Sequence, residues 1–342
     1  MSALKLMLVE DDDQDCKTCL DTCKVFQRKT DREINIVVCK NIDEAAEKLD
    51  NTYDGAIIDL KIGKDSEGGN KVSDNITTSF FRIPIIIFTA TPANTSDEFE
   101  YVEIYKKGEV EYGTIFEKFI EIYDTGMTKI LGGRGEIEKT LGRVFQKNLL
   151  PRRNTWIKYG KKDTARTEKS ILRYTLNHLL LLLDEEGLFF PEEVYICPPV
   201  SDRLYTGSIV KRKDQAKENP GFVILTPVCD LVIRKDGNFK TDRILLIEID
   251  DSALYDEKGK IDKRRNNSLE LYLHWLPRAL EFKGGFLNFR KITTITAEEY
   301  NSSYEKPFIQ IAPSFIKDII SRFSSFYARQ GQPNIDIQDF PG

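Results

Sequence analysis

The order of apolar and polar stretches over the first 125 residues predicts alternating strands and helices. The runs KLMLV, GAII and IPIIIFTATP have the length and continuity of buried parallel strands. The run YVEIYKKGE predicts an edge strand, and TIFEKFIEIYDTG predicts a last amphipathic helix that ends at Gly126. We therefore expect a doubly wound, five-stranded parallel α/β sheet in a first domain, residues 1–126.

After Gly126 the pattern becomes helical. A first helix is predicted over 136–150 with a stop at Pro151, and a second over about 166–186 with Thr167 as its cap. These helices form a basic linker, residues 127–190, which we assign to the helical part of an output domain.

The last part of the chain, residues 191–342, is rich in short apolar runs separated by turn residues. The strand candidates are EEVYICP, LYTGSIV, GFVILTP, DRILLIEID, LELYLHWLP and FLNFRKITTI. A final helix is predicted from Pro313 to near Gly331. We expect an α+β domain with a mostly antiparallel sheet or a small barrel, closed by this helix.

Charge divides the chain at the same boundary. Residues 1–125 carry 15 Lys and Arg against 26 Asp and Glu, whereas Lys129–Arg173 carries 13 basic residues against 4 acidic ones. Basic helices of this kind can neutralise nucleic-acid phosphates without reading sequence. Because aromatic residues are few here and no helix-turn-helix pattern is present, we favour a docking or homodimer-forming surface over nucleic acid.

Three carboxylates follow the predicted strands and carry the candidate chemistry. Glu10 and Asp11 come directly after KLMLV, and Asp59 comes after GAII. Ligands of open α/β sheets bind outside the carboxyl ends of the strands, so the three should converge. Converging carboxylates repel each other unless a cation neutralises them, and the oxygen ligands suit Mg²⁺. One of them could then serve as a nucleophile for phosphoryl transfer.

A hydroxyl and an ammonium group follow on the next two strands. Thr89 ends the third apolar run, and Lys106 and Lys107 end the edge strand. This order of an acidic pair, Asp, Thr and Lys on successive strand ends resembles the receiver domain of bacterial response regulators, over roughly residues 4–125. The resemblance implies the flavodoxin-like fold for this domain.

The resemblance also implies a role for each matching residue. Glu10, Asp11 and Asp59 would bind Mg²⁺ together with the backbone carbonyl of Lys61, and Asp59 would accept the phosphoryl group. Thr89 would act as the switch hydroxyl. Lys107, or else Lys106, would pair with the phosphate.

The chain departs from the family pattern in two places. Gly108 stands where the family usually has a proline after the lysine, and the loop GKDSEGGN is longer and more polar than usual. A degenerate receiver that never takes phosphate and serves as a scaffold therefore stays open as an alternative.

A second candidate site lies in the strand-rich part. Asp230 follows GFVILTPVC, and Glu248 and Asp250 lie in LLIEID, so the three could form a metal-binding acidic cluster as in some nucleases. The competing interpretation, which we favour, is a turn with a buried Cys229 and with Asp230 capping the backbone. The stretch faintly resembles strand-rich domains of uncharacterised bacterial and phage-associated proteins, which implies no chemistry.

Other features bound the class of protein. The longest apolar run, Leu179–Leu183, is far too short to cross a bilayer, and we find no secretory signal pattern. The spacing of Cys16, Cys19 and Cys23 predicts the inward face of a helix rather than a zinc site.

We thus expect a cytoplasmic, bacterial signalling protein that is not an enzyme beyond receiver chemistry. A histidine kinase or phosphotransfer protein would supply the phosphoryl group, and the output would act on an unknown partner protein. The alternatives are a phosphorylation-controlled metal-dependent nuclease, a nucleic-acid-binding protein, or the scaffold.

Overall fold

The computed structural model describes residues 3–63, 68–79, 81–94, 102–184, 189–214, 221–235, 239–250 and 270–329. The chain divides into two compact units, Met1–Glu186 and Gly187–Gly342. The helices that follow Gly126 are thus part of the first unit.

The first unit contains a five-stranded parallel sheet, as expected. Four of its strands follow the predicted apolar runs, whereas the strand over Ile34–Cys39 was not singled out in the sequence. The strand order, β2-β1-β3-β4-β5, is that of the flavodoxin-like doubly wound fold, as predicted. The strands are β1 (Leu4–Val9), β2 (Ile34–Cys39), β3 (Gly55–Ile58), β4 (Ile85–Thr89) and β5 (Glu103–Lys106). The three central strands are almost wholly buried because helices cover both faces.

Two apolar cores lie on opposite faces of this sheet. The surrounding helices are α1 (Asp13–Thr30), α2 (Ile42–Lys48), α3 (Gly68–Thr78) and α4 (Tyr112–Asp124). Helices α1 and α4 contribute to one core and α2 and α3 to the other. Cys16, Cys19 and Cys23 are buried in the first core, as their helical spacing predicts.

One glycine allows helix α4 to approach the sheet. Gly55 opens β3, and a Cβ built there would overlap the ring of Phe119 and touch Leu6. Phe119 is fully buried, so its ring cannot move aside into solvent. The close contact between α4 and β3 therefore requires glycine at this position.

Gly126 has φ +90° and precedes a helical segment. This segment differs from the prediction at two points. Pro151 does not end the helical path, because it lies in a short 3-10 turn that leads into another helix. The second predicted helix begins at Thr164, and Asp163, not Thr167, accepts the capping hydrogen bond, from the backbone N of Arg166 at 3.0 Å.

The segment contains four helices joined by tight turns. They are α5 (Met127–Leu131), α6 (Glu136–Val144), α7 (Arg153–Gly160) and α8 (Thr164–Asp184). A π-helical turn, Phe145–Leu149, and the 3-10 turn Leu150–Arg152 join α6 to α7.

Ion pairs tie this segment to the sheet. The guanidinium of Arg134 contacts the buried carboxylate of Asp54, which immediately precedes β3. Arg82, which precedes β4, pairs with Glu138 at 2.7 Å. The helical segment is therefore attached where the strands begin, at their amino ends.

The second unit contains a seven-stranded antiparallel sheet of order β10-β11-β9-β8-β7-β12-β6. Its strands are β6 (Tyr195–Ile196), β7 (Ser208–Val210), β8 (Phe222–Ile224), β9 (Ile244–Asp250), β10 (Leu273–Leu276), β11 (Gly285–Ile295) and β12 (Ile309–Ile311). Each of the six predicted runs contains one strand. The predicted α+β class with a mostly antiparallel sheet is confirmed.

Two short elements were missed by the sequence analysis, and the final helix was found. β12 has three residues and α9 (Ala297–Ser303) has seven, too few for a periodic signal. The last helix, α10 (Pro313–Ala328), begins at the predicted proline, whereas the predicted end near Gly331 lies outside the described residues. α10 and α9 pack against separate apolar cores of this sheet.

The tight contact at Gly55 leads to a stability prediction. Gly55→Ala should lower the free energy of unfolding by about 1–3 kcal/mol, because the methyl group overpacks the core against Phe119. The matched control is Gly113→Ala in helix α4, where a Cβ meets only Phe26, at 3.9 Å. That change should raise stability by about 0.4–1 kcal/mol. Chemical denaturation measures both, and equal effects of the two variants would contradict this account.

Candidate functional site

The predicted site residues lie at the carboxyl ends of neighbouring parallel strands. Glu10 follows β1, Asp59 follows β3, Thr89 ends β4 and Lys107 follows β5. Because these strands are adjacent in the sheet, their ends meet at one edge. The side chains of Glu10, Asp59 and Thr89 are almost wholly buried.

The ammonium group of Lys107 joins three carboxylates at this edge. Its Nζ lies 2.6 Å from Glu10 Oε2, 2.7 Å from Asp15 Oδ2 and 2.9 Å from Asp59 Oδ2. Charge-assisted hydrogen bonds of this length are the strong ones in proteins. One cation thus offsets part of the repulsion between three acids.

The neighbouring lysine takes no part in this cluster. Lys106 pairs with Glu109 at 2.6 Å, and both side chains are about half exposed. The sequence left Lys106 and Lys107 open for the phosphate-pairing position, and in this structure Lys107 is the one that contacts Asp59. Gly108, which follows, has φ +87°, a value that proline cannot adopt. The absence of a proline after Lys107 is therefore accompanied by a backbone conformation at residue 108 that a proline could not adopt.

Asp11 and Lys61 lie close to the cluster without contacting Lys107. The Oδ2 atom of Asp11 accepts a hydrogen bond of 2.8 Å from the backbone N of Gly63. Lys61 is exposed and lies between Asp59 and Gly63 in the same loop. Asp11 thereby holds the loop after β3 next to the loop after β1.

Thr89 lies on the other side of Asp59. Its Oγ1 atom accepts a hydrogen bond of 3.3 Å from the backbone N of Thr91. The backbone N of Lys107 donates to the carbonyl of Thr89 at 2.9 Å. The hydroxyl and the ammonium are therefore held on directly paired chain segments.

Asp15 is a cluster member that the sequence analysis did not assign. Several aspartates follow Asp11 in the sequence, and those other than Asp15 make different contacts. Asp12 caps α1 by accepting from the backbone N of Asp15 at 2.9 Å, and Asp13 contacts Lys40. Position in the first turn of α1 is the signal that could have found Asp15, since that turn faces the strand ends.

Burial changes the protonation of the cluster. Desolvation raises the pKa of Glu10 to about 7, against the lowering effects of its hydrogen bond and charge interaction with Lys107. Burial alone would lower the pKa of Lys107, but its hydrogen bonds to Asp15, Glu10 and Asp59 raise it. Lys107 is therefore a fixed positive charge, whereas Glu10 exchanges its proton near neutral pH.

One carboxylate oxygen in the cluster has no hydrogen-bond partner. Asp59 Oδ1 is buried and has no hydrogen-bond partner, although Oδ2 is held by Lys107. An ionised carboxylate oxygen without a partner is costly to bury. An oxygen-only donor set with an unsatisfied carboxylate atom fits a hard divalent cation. No group of three or more His, Cys, Asp or Glu side chains arranged to hold a metal occurs among the residues that the structure describes.

The second predicted cluster is not assembled. Asp230 lies 3.3 Å from Lys240, in the turn after β8, whereas Glu248 and Asp250 are bridged by Lys291 at 2.9 and 3.2 Å. The three acids thus face two separate lysines. Cys229 is exposed, not buried as the turn interpretation assumed, because its turn lies on the surface.

Comparison with solved structures finds distant similarities over part of the chain. The N-terminal third of the chain is similar to response-regulator receiver domains. Examples are the receiver domain of the Francisella response regulator 1452 (15% identity, 36% of this chain and 98% of that chain, TM-score 0.28) and the HemR receiver domain from Leptospira biflexa (19%, 37% and 95%, 0.28). A CheY-like receiver domain protein from Methanospirillum hungatei JF-1 matches at 19% identity over 36% and 96%, with a TM-score of 0.27.

These similarities are too distant to assign an activity. No family model matches the chain, and no curated protein matches it. The assignment of the fold rests on the strand order itself. Among the described residues no helix is both long and apolar enough to cross a membrane.

The raised pKa of Glu10 predicts a pH dependence of stability. The folded state holds this proton more tightly than the unfolded state, so the stabilisation is complete below pH 4.5 and is lost as the pH rises through about 7. In magnesium-free buffer the free energy of unfolding should fall over this range by on the order of 2 kcal/mol more in the wild type than in Glu10→Gln. Denaturation at a series of pH values measures the difference.

The exposed residue Glu47 on α2 provides the matched control. Glu47→Gln should keep the pH dependence of the wild type. The same slope in the wild type and in Glu10→Gln would show that Glu10 is not the titrating group.

Proposed function

We propose that residues 1–126 form a phospho-accepting receiver domain in which Asp59 is the acceptor. The observation that carries the proposal is the contact of Lys107 with Glu10, Asp15 and Asp59, next to an unpartnered oxygen of Asp59. Phosphorylation would switch a second unit that acts through protein–protein interaction.

The proposed reaction is a phosphoryl transfer to a carboxylate. An oxygen of Asp59 attacks the phosphorus of a phosphohistidine, a new O–P bond forms, and the P–N bond to the imidazole breaks. The imidazole leaves with a proton, and the product is an acyl phosphate on Asp59. The donor would be a histidine kinase or a phosphotransfer protein. The donor and this protein would meet in the bacterial cytoplasm.

The acidic residues supply the oxygen donors that Mg²⁺ prefers. In this structure Glu10 and Asp59 contact Lys107, and Asp11 contacts Gly63, so these side chains would have to turn toward a shared ion. Glu10, Asp11, Asp59 and the backbone carbonyl of Lys61 are the proposed ligands, and a bound Mg²⁺ would neutralise charge on the transferring phosphoryl group. The unpartnered Oδ1 atom of Asp59 supports this assignment. Glu10 would give up its proton on binding, because a metal ligand must be ionised.

Lys107 and Thr89 are suited to report the phosphoryl group. A phosphoryl group on Asp59 adds strong acceptor oxygens that compete with Glu10 and Asp15 for the ammonium group. Thr89 has a buried hydroxyl whose recorded contact, from the backbone N of Thr91, is long at 3.3 Å. The hydrogen bond from the backbone N of Lys107 to the carbonyl of Thr89 would transmit a shift of Lys107 to β4. The chain that follows Lys107 would transmit it to the start of α4.

The proposed function predicts that Asp59 can be labelled with a phosphoryl group. Incubation with a small phosphodonor such as acetyl phosphate and with Mg²⁺ should add one phosphoryl group to the wild type. Asp59→Asn should gain none, because an amide is not a nucleophile for this reaction, and a chelator should abolish the gain in the wild type. Intact-mass spectrometry measures each case.

The exposed residue Asp43 on α2 supplies the control for this experiment, and Asp43→Asn should label as the wild type does. A gain of mass in Asp59→Asn would move the acceptor to another residue. No gain in the wild type, under conditions that label a known receiver, would favour the scaffold.

A further inference from the structure

A surplus of positive charge is concentrated on helices α7 and α8. From Lys147 to Arg173 the chain has nine basic residues and only two acidic ones, Asp163 and Glu168. The basic side chains are those of Lys147, Arg152, Arg153, Lys158, Lys161, Lys162, Arg166, Lys169 and Arg173, and all are exposed. We call this set the basic surface.

The basic surface differs from the cations that precede it. Lys129, Arg134, Lys139 and Arg143 each lie within 4.0 Å of a carboxylate. In the parts of the chain that the structure describes, none of the nine later cations is in an ion pair. Asp163 is engaged in capping α8. The charge of the basic surface is therefore not compensated within the described fold.

A cavity of about 390 Å³ opens within this surface, between α7 and α8. It is lined by aromatic, basic and hydroxyl side chains together with Asp163: Trp156, Tyr159, Lys162, Asp163, Arg166, Thr167 and Ser170. Its volume falls in the range of small-molecule pockets. A flat electrostatic docking surface would need no such cavity.

Two aromatic rings, those of Trp156 and Tyr159, line this cavity, and Tyr174 packs behind Trp156. The ring centroid of Trp156 lies 6.0 Å from that of Tyr159 and 5.5 Å from that of Tyr174, both edge to face. Tyr159 is 51% exposed, so much of its ring is available for stacking. The sequence showed few aromatic residues here, but the turn between α7 and α8 brings three of them together.

We infer that helices α7 and α8 bind single-stranded nucleic acid. A base would enter the cavity and stack on Tyr159, and the adjoining phosphates would contact Lys162, Arg166 and the rest of the basic surface. An acidic protein would match the charge, whereas a nucleic-acid strand offers both a phosphate for each cation and a flat base for the exposed ring of Tyr159. Duplex bases are stacked and paired, so they do not reach such a cavity. The inference is independent of phosphorylation at Asp59.

Titration of the full-length protein with a fluorescently labelled single-stranded oligonucleotide of mixed sequence tests the inference. Anisotropy should show binding whose logarithmic constant falls linearly with the logarithm of salt concentration, because phosphate contacts release counterions. The duplex of the same sequence should bind at least about tenfold more weakly, and a mononucleotide should compete only weakly.

Two pairs of variants separate stacking from charge. Tyr159→Ala should weaken binding about tenfold with little change in salt slope, since base stacking is lost. Tyr327→Ala, at 53% exposure in the second unit, should bind as the wild type does.

Lys162→Gln with Arg166→Gln should reduce the salt slope by about 1.4, whereas Arg28→Gln with Lys29→Gln on α1 should not. Circular dichroism verifies that each variant is folded.

Three results would overturn the inference. One is no binding at low salt. Another is equal binding of duplex, single strand and heparin without an effect of Tyr159→Ala, which would mark a general polyanion surface. The third is tight mononucleotide binding that Tyr159→Ala abolishes while strands bind no better, which would assign the cavity to a free nucleotide.

Discussion

The contact between Lys107 and three carboxylates is the interaction on which the first unit depends. Glu10 and Asp59 are buried side by side because the parallel sheet brings the ends of β1 and β3 together. Without a cation between them, their charges would repel each other in a region from which water is largely excluded. The same ammonium also joins β5 and α1 to this edge. The ammonium group of Lys107 therefore contributes both to the packing of this edge and to the candidate site.

This arrangement explains why the cluster is responsive. Lys107 keeps its charge, Glu10 has a pKa near neutrality, and Asp59 retains an oxygen without a partner. Any new anion or cation at this edge changes how the three carboxylates share the lysine. Rearrangement here needs no change in the apolar cores on either side, because those cores are formed by other residues.

Local pattern in the sequence was enough for four of the five strands of the first sheet and for the acids at their ends, since a buried parallel strand is a continuous apolar run and its end is marked by the first charge. The strand β2 was not singled out, and its middle residues are only partly buried or exposed. The choice of Lys107 instead of Lys106 depends on side-chain directions that no local pattern encodes, whereas Asp15 could have been found from its place in the first turn of α1. Lys291 likewise neutralises Glu248 and Asp250 from a neighbouring strand some forty residues away in sequence. The aromatic cavity was also missed, because its walls come from both α7 and α8 and meet only once the turn between these helices has formed.

Helix α4 has a mechanical consequence for the first unit. It begins at Tyr112, five residues after Lys107, and ends at Asp124, whose carboxylate contacts both Arg32 and Lys129. A helix of 13 residues is about 20 Å long, so it spans the sheet from the edge that holds Lys107 and Asp59 to the edge where the basic helices are attached. Buried side chains from Tyr112 to Tyr123 pack into one apolar core with the sheet, so the helix connects the two edges as a single rigid element.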